Sequence, residues 1–144
     1  MIRLTRRYRF SASHRLHAPT LAEGENAALY GKCNNPYGHG HDYVLEVSVR
    51  GPVDQRTGLS APVAALDEYV SRRVLRDFSQ RNLNLDLPEF AGDLVPTSEN
   101  VALVIENRLR ASWPQAWPDL EKVRIRETPR NIFDVVTKQP NEEQ

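Results

Sequence analysis

The chain has 144 residues, a length that favours one domain spanning residues 1–144. Its 19 basic and 19 acidic side chains give a formal net charge of zero, which argues against a general attraction to nucleic acid or to a membrane surface. It lacks an apolar run of about 18 residues, a secretory signal peptide and a second cysteine, so we expect a cytoplasmic protein without disulfides.

Residues 3–14 are predicted to form the first strand. Successive side chains of a strand point to opposite faces, so alternate residues share a face. One face is mainly apolar and ends in a histidine; it carries Leu4, Arg6, Tyr8, Phe10, Ala12 and His14. The other face is polar, with Arg3, Thr5, Arg7, Arg9, Ser11 and Ser13, and is predicted to meet solvent or a polar interface.

A second strand is predicted over residues 39–50, after a long connection at 15–32 with a possible short helix at 25–30. His39 and His41 lie one residue apart on one face of this strand, and glycines at 38 and 40 allow a close approach from the other side. If the two strands pair antiparallel, His14 meets this histidine pair. Three neutral imidazoles with one open position are typical of a catalytic zinc site.

The periodicity of apolar residues predicts two main helices. The first covers residues 62–78; the second is capped by Thr97 or Ser98 and runs to about Ala111. Between them, residues 79–96 are predicted to be a loop. Trp113 and Trp117 follow the second helix, where packing against a helix end is a better explanation than cofactor stacking.

Two further strands are predicted at residues 120–128 and 132–137, joined by a turn at 129–131, and residues 138–144 are predicted to fray. The element order is therefore strand, strand, helix, helix, strand, strand. This order favours an α+β fold in which a four-stranded antiparallel sheet carries both helices on one face.

Four separated segments resemble the 6-pyruvoyl-tetrahydropterin synthase family. They are FSASHRL at residues 10–16, GENAALYGKCNNPYGHGHDY at 24–43, PTSEN at 96–100 and RIRET at 124–128. The related 6-carboxytetrahydropterin synthases share the metal triad and the starting substrate, but they usually lack the GKCNNP insert. The resemblance is therefore closest to the pyruvoyl branch.

The resemblance implies a fold, a cofactor and an assembly. The fold would be the tunnelling fold, in which sheets of several subunits join into a barrel, here a homohexamer made of two trimers. The cofactor would be Zn²⁺ held by His14, His39 and His41, and the partner a small pterin molecule. The implied reaction eliminates triphosphate from 7,8-dihydroneopterin triphosphate, the work of a carbon–oxygen lyase.

The resemblance also assigns roles to residues outside the metal triad. Cys33 matches the residue that shuttles protons as a thiolate, and Glu127 matches the glutamate that accepts hydrogen bonds from the pterin. Ser98 and Glu99 match positions that line the pterin pocket. Glu99 has a second explanation, since an acidic residue in a first helical turn favours the helix dipole.

The chain departs from the family where the first helix ends. Ser79 and Gln80 stand in place of the aspartate and histidine that assist the cysteine, and neither can carry out that proton transfer. His17 is the remaining histidine; it could substitute as a base, although a surface position is the simpler expectation. Two alternatives therefore stay open, a 6-carboxytetrahydropterin synthase and a pterin-binding homologue whose catalysis is weak or lost.

Overall fold

The structure is a computed structural model that describes residues 1–136. The predicted frayed tail at 138–144 and the last residue of the final predicted strand, Thr137, lie outside the described residues.

Five strands form one mixed sheet in the order β3-β1-β2-β4-β5. Neighbouring strands are antiparallel except for β3, which runs parallel to β1. The strands are β1 (Ile2–His14), β2 (His39–Gly51), β3 (Arg81–Asn82), β4 (Asp119–Thr128) and β5 (Asn131–Val136).

The described residues contain five α-helices. They are α1 (Glu23–Tyr30), α2 (Val63–Val70), α3 (Arg76–Phe78), α4 (Leu83–Asp86) and α5 (Ser98–Arg110). A π-helical turn at Ser71–Leu75 joins α2 to α3, so the helix predicted over 62–78 is continuous. Two 3₁₀ turns, Gly31–Asn34 and Pro88–Phe90, complete the connections.

The four predicted strands are present and pair antiparallel, but the sheet also has a fifth strand, β3, which runs parallel to β1 and which the sequence did not predict. Gln80 takes a positive φ of 57°, and its backbone N–H donates to the Ser11 carbonyl oxygen at 2.5 Å. This turn lays the chain beside the end of β1, and the Asn82 side chain then caps α4. The predicted loop at 79–96 therefore contains a strand, a helix and a 3₁₀ turn. A strand of two residues is too short to show an alternating pattern in the sequence.

The core lies between the sheet and the helices α2 and α5. β1 and β2 pair along their whole length, which places Phe10 opposite Tyr43 with their rings stacked at 5.0 Å. The apolar face predicted for β1 is thus the face that the helices cover. Trp113 and Trp117 pack edge-to-face against the buried Tyr69, as expected for residues at a helix end. Within residues 1–136, no helix is both long enough and apolar enough to cross a membrane.

Arg108 connects α5 to the segments that lead away from α2. Its guanidinium binds both carboxylate oxygens of Glu89, donates to Asp77 at 2.6 Å and lies 5.3 Å from the centre of the Phe78 ring. Only 17% of the Arg108 side chain is exposed, so these contacts are partly shielded from water. The hydrogen bonds from Arg108 lower the pKa of Glu89 below its ordinary value.

We expect Arg108→Met to lower the free energy of unfolding at neutral pH by about 1–3 kcal/mol, because charge-assisted hydrogen bonds are lost. A carboxyl group with a lowered pKa stabilises the fold above its ordinary pKa of 4.5, and this contribution is lost as the pH falls through the lowered value. The difference between the two proteins should therefore be constant near neutral pH and shrink below about pH 4. Urea unfolding across this range measures it.

Arg76→Met is the matched control, since Arg76 pairs with Glu68 at 3.4 Å while both side chains are about 60% exposed. We expect it to change the free energy of unfolding by less than about 0.5 kcal/mol. Equal losses in the two variants would contradict the stabilising role of Arg108.

Candidate metal centre

Three histidines meet where β1 ends and β2 begins. The register places His14 opposite His39 and Ala12 opposite His41, so all three imidazoles lie on the helix-covered face of the sheet. The ring centres are 4.3 Å apart for His39 and His41, 4.9 Å for His14 and His41, and 5.7 Å for His14 and His39. The structure therefore brings together the three residues that strand alternation selected.

Gly38 allows the backbone to enter β2 directly against β1. It has a φ of 68°, and a Cβ at this position would lie 2.4 Å from the His14 carbonyl oxygen. Any side chain would push the two strands apart just where the histidines converge. The close approach predicted for this glycine is thus a requirement of the site.

Cys33 reaches the histidines from the 3₁₀ turn Gly31–Asn34. Its carbonyl accepts a hydrogen bond from the Leu16 backbone N–H at 2.7 Å, which holds the turn against the end of β1. The sulfur lies 2.9 Å from His39 Nε2. One donor atom from each of His14, Cys33, His39 and His41 lies within 4.8 Å of all the others.

The orientation of His14 fits a metal ligand. Its Nδ1 donates to the Pro96 carbonyl oxygen at 2.8 Å, which leaves a lone pair on Nε2. Within the described part of the chain, Nε2 of His14 and of His41 are buried without a hydrogen bond. A buried, unpaired nitrogen is costly unless a cation or another partner satisfies it.

The electrostatics of the cluster also suit a cation. Burial lowers the pKa of His14 and of His41, which keeps both imidazoles neutral and able to bind metal. Burial and the nearby Glu127 carboxylate raise the pKa of the Cys33 thiol. A thiolate at neutral pH therefore requires a compensating positive charge. The chemistry of the donor set fits a bound metal ion, and zinc accepts nitrogen and sulfur ligands of this kind.

Glu127 lies at the rim of the cluster, near the end of β4. Its Oε1 is 3.0 Å from His41 Nε2, although the two atoms lack the alignment of a hydrogen bond. Its Oε2 accepts a hydrogen bond from Ser98 Oγ at 2.8 Å. The structure thus places Glu127 beside a predicted metal ligand, and Ser98, which is also assigned to pterin binding, is hydrogen-bonded to Glu127.

Glu99 is not part of this arrangement. Its side chain is exposed and lines a groove between α5 and β5 with Leu103 and Ile132. Consecutive helical residues point about 100° apart, so Ser98 and Glu99 face different surroundings.

Ser79 and Gln80 lie away from Cys33. Both line a cavity with Ser11 and Asp42, whose side chains are hydrogen-bonded at 2.5 Å on the face of the sheet opposite the imidazoles. Neither residue makes a hydrogen bond to Cys33 anywhere in residues 1–136. One subunit alone does not bring these positions to the cysteine.

His17 is half-buried rather than on the surface, which corrects the simpler expectation. The Asn34 side-chain amide donates to the Leu16 carbonyl at 2.7 Å and also lies 3.1 Å from His17 Nδ1. Because the Leu16 carbonyl can only accept, this network identifies the amide nitrogen as the donor and Nδ1 as an acceptor.

Sequence reasoning missed two contacts that orient His14. Tyr43 places its hydroxyl 3.3 Å from His14 Nδ1 and is fully buried; it shares the strand face of His41, so alternation could have identified it. The Pro96 carbonyl is the other contact. Backbone acceptors carry no side-chain signal, so no residue pattern could have revealed it.

Comparisons with known proteins identify the family of the chain. A family model described as 6-pyruvoyl tetrahydropterin synthase matches residues 3–138. The curated 6-pyruvoyl tetrahydrobiopterin synthases of Drosophila melanogaster and Homo sapiens are each 43% identical to this chain; the matches cover 90% of it and 76% and 87% of those proteins.

Solved structures show the same fold. The structure of Caenorhabditis elegans 6-pyruvoyl tetrahydropterin synthase matches with a TM-score of 0.85 and 40% identity, over 95% of this chain and 96% of that one. The Plasmodium falciparum 6-pyruvoyl tetrahydropterin synthase, with a TM-score of 0.64 and 16% identity over 93% of this chain and 96% of that one, supports the fold alone. The predicted tunnelling fold is confirmed, with a five-stranded mixed sheet. With a family model matched along residues 3–138 and these identities, the chain belongs to the 6-pyruvoyl tetrahydropterin synthase family.

Proposed function

We propose that this protein is a zinc-dependent lyase that eliminates triphosphate from 7,8-dihydroneopterin triphosphate and forms 6-pyruvoyl-tetrahydropterin. The observation that carries the proposal is that a cluster of three imidazoles and a thiol lies beside the Glu127 carboxylate. The distance from His41 Nε2 to Glu127 Oε1 is 3.0 Å. The names of the relatives that are 43% identical support the same reaction.

His14, His39 and His41 would hold the zinc ion through their ring nitrogens. When bound, the ion supplies Lewis-acid polarisation of the substrate's side-chain oxygens, which acidifies the neighbouring C–H and O–H groups. The remaining chemistry belongs to the protein's own residues. His14 is fixed for this task by the Pro96 carbonyl, so its free nitrogen faces the cluster.

Glu127 would orient the pterin ring. A carboxylate that accepts two parallel N–H donors makes a strong and geometrically selective contact. The 2-amino group and the adjacent ring nitrogen of a pterin present such a pair of donors. Ser98 Oγ already holds one carboxylate oxygen, which reduces the freedom that Glu127 must lose on binding.

Cys33 would move the proton. Its sulfur lies among the imidazole nitrogens of the cluster, so it would face a substrate side chain that is bound there. The same position also allows the sulfur to serve as a fourth metal donor. The effect of removing Cys33, described in the Discussion, separates these two roles.

Open sheet edges support an assembly of several copies, which we propose is a homohexamer of two trimers in the cytoplasm. In residues 1–136, β5 pairs only with β4, and β1 pairs with β3 through Ala12 and Ser13 alone. Exposed edges favour pairing with another chain, and closure into a barrel removes them. Any contact of Ser79 and Gln80 with a cysteine would then have to come from a neighbouring subunit.

We expect Glu127→Gln to weaken pterin binding by about 1–3 kcal/mol, because the amide keeps the shape but loses the charge that favours two N–H donors. Titration with neopterin, followed by fluorescence, measures the affinity. Glu121→Gln is the matched control. Glu121 is an acid near the other end of the same strand, where it binds Arg3. Equal neopterin affinity in Glu127→Gln and the natural protein would remove Glu127 from the pterin site.

We also expect elimination to be slow compared with relatives that keep the aspartate–histidine pair, since general acid–base help is worth about 10²–10⁴-fold. The double change Ser79→Asp with Gln80→His should raise turnover and shift the pH optimum downward. Gln80 already has a left-handed backbone that histidine tolerates, so the change needs no rearrangement of the chain. A pH–rate profile of both proteins and of His17→Ala checks this expectation. Fast turnover near neutral pH in the natural protein, unaffected by His17→Ala, would contradict it.

A further inference from the structure

Arg15 follows the predicted metal ligand His14 and extends onto the turn that carries Cys33. Its Nε donates to the Asn34 carbonyl oxygen at 3.2 Å. The next residue, Leu16, donates its backbone N–H to the Cys33 carbonyl oxygen at 2.7 Å. Two consecutive carbonyls of the turn are thus held by two consecutive residues that follow β1, and the Arg15 guanidinium lies against the turn that carries the thiol.

The backbone of Arg15 is also held in place. The Asn84 side-chain amide bonds both of its polar groups: Oδ1 accepts from the Arg15 backbone N–H at 2.7 Å, and Nδ2 donates to the Arg15 carbonyl oxygen at 3.0 Å. Asn84 lies in α4, whose start is capped by the Asn82 side chain. An arginine that is held at its backbone and at Nε has less freedom to lose when a ligand binds, which favours affinity.

Four of the five N–H groups of this guanidinium remain for a ligand. Nε is used by the Asn34 carbonyl, whereas within residues 1–136 the two Nη atoms have no hydrogen-bond partner and Arg15 forms no ion pair. The residue is partly exposed, so a ligand can reach it. The planar fork of an arginine matches the oxygens of a phosphate group in pairs.

A second positive charge lies on the same turn. Lys32 directly precedes Cys33, is exposed and forms no ion pair with any residue that the structure describes. Together with Arg15 it gives the turn two cations without an acidic partner. Two such cations attract an anion, and the attraction to Arg15 is strengthened by its partial burial, because less water surrounds the charge.

The contacts of the cluster lead from Glu127 to this turn. Glu127 Oε1 lies 3.0 Å from His41 Nε2, the ring centres of His41 and His39 are 4.3 Å apart, and His39 Nε2 lies 2.9 Å from the Cys33 sulfur. The N–H donors of a pterin and its side chain at carbon 6 lie at opposite ends of the molecule. A pterin that binds Glu127 and extends its side chain across the imidazoles therefore brings the end of that side chain towards the turn.

We propose that Arg15 binds the triphosphate group at the end of this side chain and so makes the site selective for the phosphorylated pterin. This inference rests on the proposed function and names the residue that recognises the leaving group of the substrate. The loss of charge-assisted hydrogen bonds typically costs roughly 10–100-fold in affinity. We expect Arg15→Gln to lower the affinity for neopterin triphosphate by this factor and to leave the affinity for neopterin unchanged.

The test compares neopterin with neopterin triphosphate, two fluorescent ligands that differ only in the triphosphate. Each is titrated into the zinc-loaded natural protein and its variants. The natural protein should prefer the triphosphate form, and this preference should fall as salt is added, because salt screens the charges. Arg15→Gln should lose most of the preference. Arg15→Lys keeps the charge without the planar fork, so it should retain part of it.

Arg72→Gln is the matched control. It also removes one arginine charge, but Arg72 is exposed, lies 5.9 Å from the centre of the Tyr69 ring and is outside the donor cluster. This variant should keep the full preference for the triphosphate form. An equal loss of preference in Arg72→Gln and Arg15→Gln would mean that the total charge of the protein, and not a contact with Arg15, is responsible, and would overturn the inference.

Equal affinity of the natural protein for the two ligands would also overturn the inference, and this measurement needs no variant. A preference that survives in Arg15→Gln would exclude Arg15. An equal loss of affinity for both ligands in that variant would show that Arg15 supports the shape of the turn and does not select the triphosphate. In all of these cases, release of triphosphate from 7,8-dihydroneopterin triphosphate by the natural protein would leave the proposed function standing. If the natural protein bound neither ligand, the inference and the proposed function would both fail.

Discussion

Replacing His14 by alanine is expected to abolish both metal binding and triphosphate elimination. His14 is 1% exposed, and its ring is fixed by the Pro96 carbonyl with Nε2 directed into the cluster. Loss of a group that merely orients a ligand typically costs about 10–100-fold in metal affinity, so loss of the ligand itself should cost at least the upper end of that range. Zinc content after dialysis, together with triphosphate release, measures the effect.

His17→Ala is the matched control, since it removes an imidazole three residues further along that lies outside the donor cluster. We expect this variant to keep its metal. Unchanged zinc content in His14→Ala would contradict the assignment of the triad, and equal zinc loss in both variants would point to a general loss of structure.

Replacing Cys33 by alanine is expected to lower kcat by about 10²–10⁴-fold, the usual worth of a general acid–base group, while one zinc per chain remains bound. Three imidazoles suffice to hold the ion. Among the described residues, Cys33 is the one member of the cluster besides these imidazoles, so its loss leaves no other thiol or imidazole there to carry the proton. Enzyme kinetics and zinc content on the same preparation separate the two quantities.

Cys33→Ser provides the control for shape, because it keeps a small polar side chain whose pKa is far too high for proton transfer at neutral pH. It should behave like the alanine variant in kcat. Loss of zinc from both variants would identify Cys33 as a metal ligand rather than a proton carrier, and undiminished kcat would exclude it from the reaction.

Strand alternation predicted that the three histidines meet, because both long strands are regular and pair without interruption. His14, His39 and His41 share a parity, and the antiparallel register then carries them to the same end of the sheet. The sequence alone was therefore enough to predict which side chains share this face of the sheet. The same holds for the apolar core between Phe10, Tyr43 and the covering helices.

The features that the sequence did not predict depend on backbone atoms and on short segments. β3 forms because of a positive φ at Gln80 and a hydrogen bond to the Ser11 carbonyl, neither of which has a periodic pattern. The contact between Ser98 and Glu127 joins residues 29 positions apart, through a helix start whose angle to the sheet is fixed by packing. Sequence similarity placed Ser98 and Glu99 in one pocket, yet the helical rotation between them directs Glu99 elsewhere.

The most direct test of the proposed function is incubation of the zinc-loaded protein with 7,8-dihydroneopterin triphosphate, followed by measurement of triphosphate release and of product mass. The proposal predicts one triphosphate released for each 6-pyruvoyl-tetrahydropterin formed, and no release after removal of zinc. A product with the mass of 6-carboxytetrahydropterin, or binding of substrate without any release of triphosphate, would contradict it.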